Sequence, residues 1–218
     1  MTQDLLHDIE CPRPAREAIG DGAYLLRGRS LPFEDDLVAA IRTIAERAPL
    51  RHMVTPGGFE MSVAMTNCGG FGWVTDRSGY RYDPNDPETG KPWPAMPDAF
   101  ARLATTAAAA CGYHGFSPDA CLINRYEPGA RLSLHQDRNE SDFANPIVSV
   151  SLGLPATFLF GGAKRTDPVA KHTVRHGDVA VWGGRTRLNY HGVANLKDGD
   201  HPTFGRARIN LTFRRARP

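Results

Sequence analysis

Three residues stand out as able to do chemistry together. His135 and Asp137 lie two apart in Leu134-His135-Gln136-Asp137, and His191 follows much later in Asn189-Tyr190-His191-Gly192. On an extended strand alternate side chains share a face, which puts His135 and Asp137 together, roughly 7 Å apart along the chain. Two imidazoles and one carboxylate can cap one face of an octahedral ion and leave three positions open. Such a donor set suits Fe(II), and the open face would admit a chelating co-substrate and dioxygen. His-x-Asp alone is more often a hydrogen-bonded surface pair. Zinc hydrolases and non-catalytic cupin-like modules use similar donors. On these three residues the readings stay open.

A second pattern narrows them. In Arg208-Ile209-Asn210-Leu211-Thr212-Phe213-Arg214 polar and apolar residues alternate without a break. Arg208, Asn210, Thr212 and Arg214 share one face, and the apolar set is expected to pack between two sheets. The two guanidinium groups are about 20 Å apart along an extended strand. Facing inward, they are costly unless they meet anions. A dicarboxylate supplies two: one arginine can fork onto the far carboxylate while the other lies near a metal. Asn124 and Tyr126, also two apart, offer an amide and a phenol. The competing reading is an edge strand with solvated arginines.

The elements that must hold these residues follow from periodicity. Phe33–Ala48 has an apolar stripe at Leu37, Ala40, Ile41, Ile44, Ala45 and Ala48 behind an acidic front, which predicts a helix closed by Pro49. Pro97–Cys111 predicts a second, stopped by Gly112. Between them lies a segment rich in Gly, Pro and Asp-Pro steps, which predicts long irregular structure carrying Trp73, Tyr80, Tyr82 and Trp93. From Asp119 onward come short alternating runs separated by turns: ACLINRYE, ARLSLHQD, IVSVSLGL, TFLFGG, KHTVRH, DVAVWGG and RARINLTFRR. These predict an antiparallel double sheet. The fold class is α+β, with helices bracing a jelly roll.

Composition sets outer limits. At 218 residues, 41% hydrophobic and 23% charged, the chain reads as one folded domain. A net charge of +2 is too small to argue for nucleic acid from the total. The arginines at 206, 208, 214, 215 and 217 read as a solvated basic end, weak support for a polyanion. No run is long and apolar enough for a spanning helix. Asp4, Asp8 and Glu10 do not fit a secretory leader. Cys11, Cys68, Cys111 and Cys121 form no CxxC pair and read as free thiols in a cytoplasmic protein. The histidines at 7, 52, 114, 172, 176 and 201 read as surface or structural.

Several blocks, taken in order, resemble a known family. LINRYEPGARLSLHQDRNE, PIVSVSLGLPATFLFGG, HGDVAVWGG, YHGV and RINLTFR, with MVTPGGFEMSVAMTNCG and GYRYDPNDPETGKPWPAMP upstream, resemble the AlkB-type 2-oxoglutarate/Fe(II) nucleic-acid dealkylases from about Arg51 to Arg215. The resemblance implies a single domain: a double-stranded β-helix (jelly-roll) core at about 119–215 and a nucleotide-recognition lid at about 50–95. His135, Asp137 and His191 fall at the iron ligands. Asn124, Tyr126, Arg208, Asn210 and Arg214 fall at the 2-oxoglutarate positions, with Arg214 on the distal carboxylate. Trp73 falls where an aromatic stacks on a flipped base, the His135 ring being on the other side. Tyr80 and Tyr82 would line the substrate, Met65 the base pocket. Thr55, Arg138 and Arg165 would lie near the nucleic-acid backbone. The chain departs at Asn139, where the family pattern has an aspartate facing the exocyclic amine of the methylated base. Asn139 keeps an acceptor oxygen but loses the charge, and Glu140 next to it should point elsewhere. The implied activity is oxidative demethylation of N1-methyladenine and N3-methylcytosine in single- or double-stranded DNA, with RNA as a further substrate, by a monomer not associated with a membrane. It would consume 2-oxoglutarate and O2 at Fe(II) and release formaldehyde, succinate and CO2. An oxygenase of the same chemistry acting on a protein or small molecule shares the metal and arginine pattern, and the lid distinguishes the two.

Overall fold

The computed structural model describes residues 15–217; Asp4, His7, Asp8, Glu10 and Cys11 lie outside them. Both expected helices form. α1 (Glu34–Arg47) begins with Glu34, Asp35 and Asp36, whose charges complement the positive end of the helix dipole, and buries Leu37, Ile41 and Ile44. A short 3-10 turn at Leu31–Phe33 takes up the residues before it. α2 (Asp98–Ala110) buries Phe100, Leu103, Ala104, Ala107 and Ala108. It stops where Gly112 adopts φ +90°, a left-handed conformation that costs glycine little.

Two sheets form the body. The larger runs β1 (Arg16–Gly20), β2 (Ala23–Leu26), β12 (Val179–Trp182), β9 (Ile147–Gly153), β14 (Arg208–Arg214), β7 (Ala120–Tyr126), β4 (Glu60–Gly69) and β3 (Arg51–Val54). The smaller runs β11 (Ala170–Val174), β10 (Ala156–Phe160), β13 (His191–Val193) and β8 (Leu132–His135). Neighbouring strands in both are antiparallel. This is the expected jelly-roll arrangement with helices on one side.

The expectation for the apolar face of β14 was inverted. Ile209, Leu211 and Phe213 pack with α1 and α2 residues on the outer side of the large sheet, not between the sheets. Each contributes roughly 1.5–3 kcal/mol by leaving water. The space between the sheets holds a second apolar cluster, including Leu122, Phe158, Phe160 and Trp182. It also receives the polar face of β14. The basic end is therefore only partly solvated: Arg206 and Arg217 are exposed, whereas Arg208 and Arg214 are buried.

The segment at 50–95 is more regular than its turn formers suggested. β3 and β4 join the large sheet, and β5 (Gly72–Asp76) pairs with β6 (Gly79–Asp83) as a separate hairpin. β4 tolerates buried polar residues because each is satisfied. Thr66 Oγ1 donates to the Ala48 carbonyl at 2.7 Å, and the Asn67 amide bonds the Trp73 backbone twice at 3.0 Å. Among the described residues no helix is long and apolar enough to cross a membrane.

Candidate active site

The cavity between the sheets, about 830 Å³, collects most of the chemistry. β8 ends at His135, so Asp137 lies in the irregular segment beyond the strand rather than on it. β13 opens at His191, which pairs directly with His135. His135 Nε2 is 3.7 Å from Asp137 Oδ1, and His191 Nε2 is 3.8 Å from Oδ2. Among the described residues these three are the one group of His, Cys, Asp or Glu able to share a metal ion. Each ring is fixed from its other nitrogen. His135 Nδ1 meets the Ser133 carbonyl at 2.8 Å and His191 Nδ1 the Asn189 carbonyl at 3.0 Å, which turns both Nε2 atoms toward the carboxylate. Gly192 lets the strands come close: a Cβ there would stand 2.6 Å from the Leu132 carbonyl oxygen.

Electrostatics keep the donors ready. Burial, then the His135 ring, pushes His191 down to about 3, so it stays neutral and able to ligate at neutral pH. Burial alone would raise the Asp137 carboxyl. Arg214, then His191 and His135, hold it below the usual carboxylate range instead. Donor type, count and readiness fit an octahedral Fe(II) with open positions.

The two arginines of β14 have different surroundings. Arg214 Nη2 and Nε donate to Asp137 Oδ2 at 2.7 and 2.8 Å. Its charge is thus engaged at the metal end, which does not suit the distal-carboxylate role the resemblance gave it. Arg208 is also buried, and it donates through Nη2 to Ser151 Oγ at 2.8 Å while lying over the Tyr126 ring at 4.9 Å. Its Nε and Nη1 are buried without a hydrogen-bond partner. Two orphaned charged donors facing a cavity cost several kcal/mol unless an anion meets them. Burial lowers the Arg208 pKa, and the neighbouring Tyr126 only partly opposes it. Asn210 is spent on the fold, donating to Ser149 Oγ and the Val150 carbonyl at 2.8 Å each. Asn124 lines the cavity with a buried, unpartnered Oδ1.

At the mouth, Trp73 and Tyr80 stack with ring centres 5.7 Å apart. Thr55, Met65, Arg138, Asn139 and Arg165 also line the cavity. Arg165 lies over the Tyr190 ring at 5.0 Å. Two expectations change here. Tyr82 is buried and donates its hydroxyl to Glu140 Oε1 at 2.6 Å, so it does not line the cavity as Tyr80 does. The Asn139 Oδ1 expected to face a base accepts from Trp73 Nε1 at 3.1 Å. Glu140 points away from the cavity, as expected. Sequence reasoning missed Arg187, which donates through Nη1 to the Asp137 carbonyl at 2.8 Å. Arginine in a turn such as GGRTRLNY carries no local signal of burial. His176 and His201, read as surface or structural, lie outside this site with their rings 4.5 Å apart and His176 Nε2 3.4 Å from Glu34.

A jelly roll holding a two-histidine, one-carboxylate triad above buried arginines defines an oxygenase of the 2-oxoglutarate-dependent class. Comparisons with known proteins agree. The family model for the 2OG-Fe(II) oxygenase superfamily matches residues 23–214. The chain is 56% identical over 213 residues to the alpha-ketoglutarate-dependent dioxygenase AlkB of Escherichia coli (strain K12), covering 98% of this chain and 97% of that one. It is 35% identical over 125 residues to the nucleic acid dioxygenase ALKBH1 of Mus musculus, covering 57% of this chain and 32% of that one. The solved structure of OsALKBH1 superposes with a TM-score of 0.82 at 27% identity, covering 92% of this chain and 99% of that one. The chain belongs to the 2OG-Fe(II) oxygenase superfamily and, within it, to the AlkB family of alpha-ketoglutarate-dependent dioxygenases. It is an enzyme that uses Fe(II), 2-oxoglutarate and O2.

Proposed function

We propose that the enzyme removes N-alkyl groups from nucleic-acid bases, N1-methyladenine and N3-methylcytosine foremost, in single-stranded DNA and also in RNA. The observation that carries this is the layout of one cavity: the metal donors and Arg208 on its floor, the Trp73–Tyr80 stack at its mouth. The AlkB relative supports the dioxygenase chemistry by its name, and the ALKBH1 relative, a nucleic acid dioxygenase, supports the substrate class. His135, Asp137 and His191 would hold Fe(II). With 2-oxoglutarate and O2, that ion supplies an oxidation that yields succinate and CO2 and releases a methyl group as formaldehyde. Arg208 receives the far carboxylate through its two unpartnered donors, and Asn124 and Tyr126 flank it. Arg214 keeps Asp137 ionised and oriented. Trp73 and Tyr80 receive the extruded base, offsetting the cost of unstacking. Arg138 and Arg165 at the rim attract the phosphate backbone. The β5–β6 hairpin with the turn at 55–59 forms the lid over the core, within a single domain acting as a cytoplasmic monomer.

A formaldehyde assay on a methylated single strand tests the reading. Formaldehyde and succinate should form together, and only when Fe(II) and 2-oxoglutarate are both present. Succinate formation driven by another substrate class, with none from methylated oligonucleotides, would refute it.

A further inference from the structure

Behind the metal donors, Glu140, Tyr82 and Arg187 join Arg214 in a buried cluster, and those three have no place in binding or turnover as described so far. Glu140 is three residues past Asp137 with its side chain 1% exposed. Its Oε1 accepts from the Tyr82 hydroxyl at 2.6 Å and lies 3.5 Å from Arg214 Nε. Its Oε2 lies 3.2 Å from Arg187 Nη2. Both arginines continue to Asp137, Arg214 on the carboxylate and Arg187 on the backbone carbonyl. Two anions and two cations balance in a largely buried cluster, with Asp137 and Arg214 on the cavity side and Glu140 and Arg187 behind them. Tyr82 belongs to β6, the same hairpin that presents Tyr80 and Trp73 to the cavity.

The balance has a consequence when a divalent cation arrives. The ion draws on the charge of Asp137 and repels the Arg214 guanidinium beside it. Arg214 stays in place if a second anion shares it, and Glu140 is that anion. Without Glu140, Arg214 would depend on Asp137 alone and compete with the ion for the same carboxylate. Groups that orient a metal ligand from behind tune affinity without touching the metal.

We propose that Glu140 and Tyr82 are positioning residues of the metal site: Tyr82 holds Glu140, Glu140 shares Arg214 and Arg187, and those two arginines hold the carboxylate and backbone of Asp137. The proposal rests on His135, Asp137 and His191 being the metal ligands. Its direct readout is ion affinity, independent of turnover. The Trp182 ring lies 4.8 Å from the His191 ring, so tryptophan quenching by Co(II) reports occupancy. Wild type should quench saturably and His135→Ala should not. Glu140→Gln keeps the shape and the acceptor for Tyr82 but removes the charge, and its Co(II) Kd should rise about 10- to 100-fold. Tyr82→Phe removes one hydroxyl and should raise the Kd roughly 3-fold. Thr105→Val, which removes a 3.2 Å hydrogen bond to the Phe116 carbonyl on the helical side, should leave the Kd at the wild-type value. If Glu140→Gln does not fold, Tyr82→Phe decides. Quenching retained in His135→Ala overturns the ligand set and this inference with it. Quenching lost there but unchanged affinity in Tyr82→Phe and in any folded Glu140→Gln overturns the inference alone.

Discussion

At the cavity floor Asp137 and Arg214, with Glu140 and Arg187 behind them, share their charges within the protein, whereas at the rim Tyr80 leaves 48% of its surface in water. The floor is organised before anything binds. Its donors are aimed by backbone carbonyls and neighbouring ions, and the cost of burial is met by pairing. The rim combines the rings of Trp73 and Tyr80 with Arg138 and Arg165 and is incompletely covered, which makes sense once a ligand covers it. Arg208 stands between the two regimes: buried like the floor, yet short of partners like the rim. The contrast teaches that metal chemistry depends on rigidity the fold supplies, while substrate recognition depends on contacts the substrate completes.

The sharpest way to break the comparison is on the floor. His191→Ala removes a metal donor from a rigid strand pair and should take formaldehyde release below detection; substantial residual turnover would show that the ion is held elsewhere. Arg208→Ala comes next. Loss of a charge-assisted pair should raise the 2-oxoglutarate KM roughly 10- to 100-fold, with a smaller change in kcat. An unchanged KM would return the distal-carboxylate role to Arg214.

Effects at the rim should be smaller and confined to nucleic acid. Trp73→Ala should weaken binding of a methylated oligonucleotide by about 1–3 kcal/mol, the usual loss of one stacked base, while the 2-oxoglutarate KM stays put. If that KM moved as well, floor and rim would not be separable. Asn139→Asp should act most mildly. The carboxylate can still accept from Trp73 Nε1, and the added charge should shift the ratio of N1-methyladenine to N3-methylcytosine repair by a few-fold, read by paired assays. A fixed ratio would mean that this side chain serves Trp73 and not the base.

The same division explains what the sequence could disclose. The jelly-roll strands were legible because alternation and turn residues are local signals, and the triad because the blocks around it resemble a known family, His-x-Asp spacing alone having left the reading open. β4 was not legible: its burial depends on partners such as the Ala48 carbonyl and the Trp73 backbone, which only the assembled sheet supplies. β14 showed two faces correctly, but which face met the helices was decided by sheet stacking, and the expectation was wrong. Tyr80 and Tyr82 are alike in local context. One lies half-exposed next to the turn of the hairpin and the other packs against Ala120 and Ala216, a difference set by tertiary packing. The roles of Arg208 and Arg214 differ for the same reason, since Asp137 comes within reach of only the latter.

The missing side chain at position 192 has a consequence for anyone wishing to alter this enzyme. With nothing larger than hydrogen facing the Leu132 carbonyl, the two imidazole-bearing strands come closer there than a side chain would permit. One added methyl, as in Gly192→Ala, would act as a wedge, widening the bite of the two rings without changing a single donor atom. Ion preference in this scaffold can therefore be adjusted through strand spacing, a mechanical setting separate from ligand chemistry.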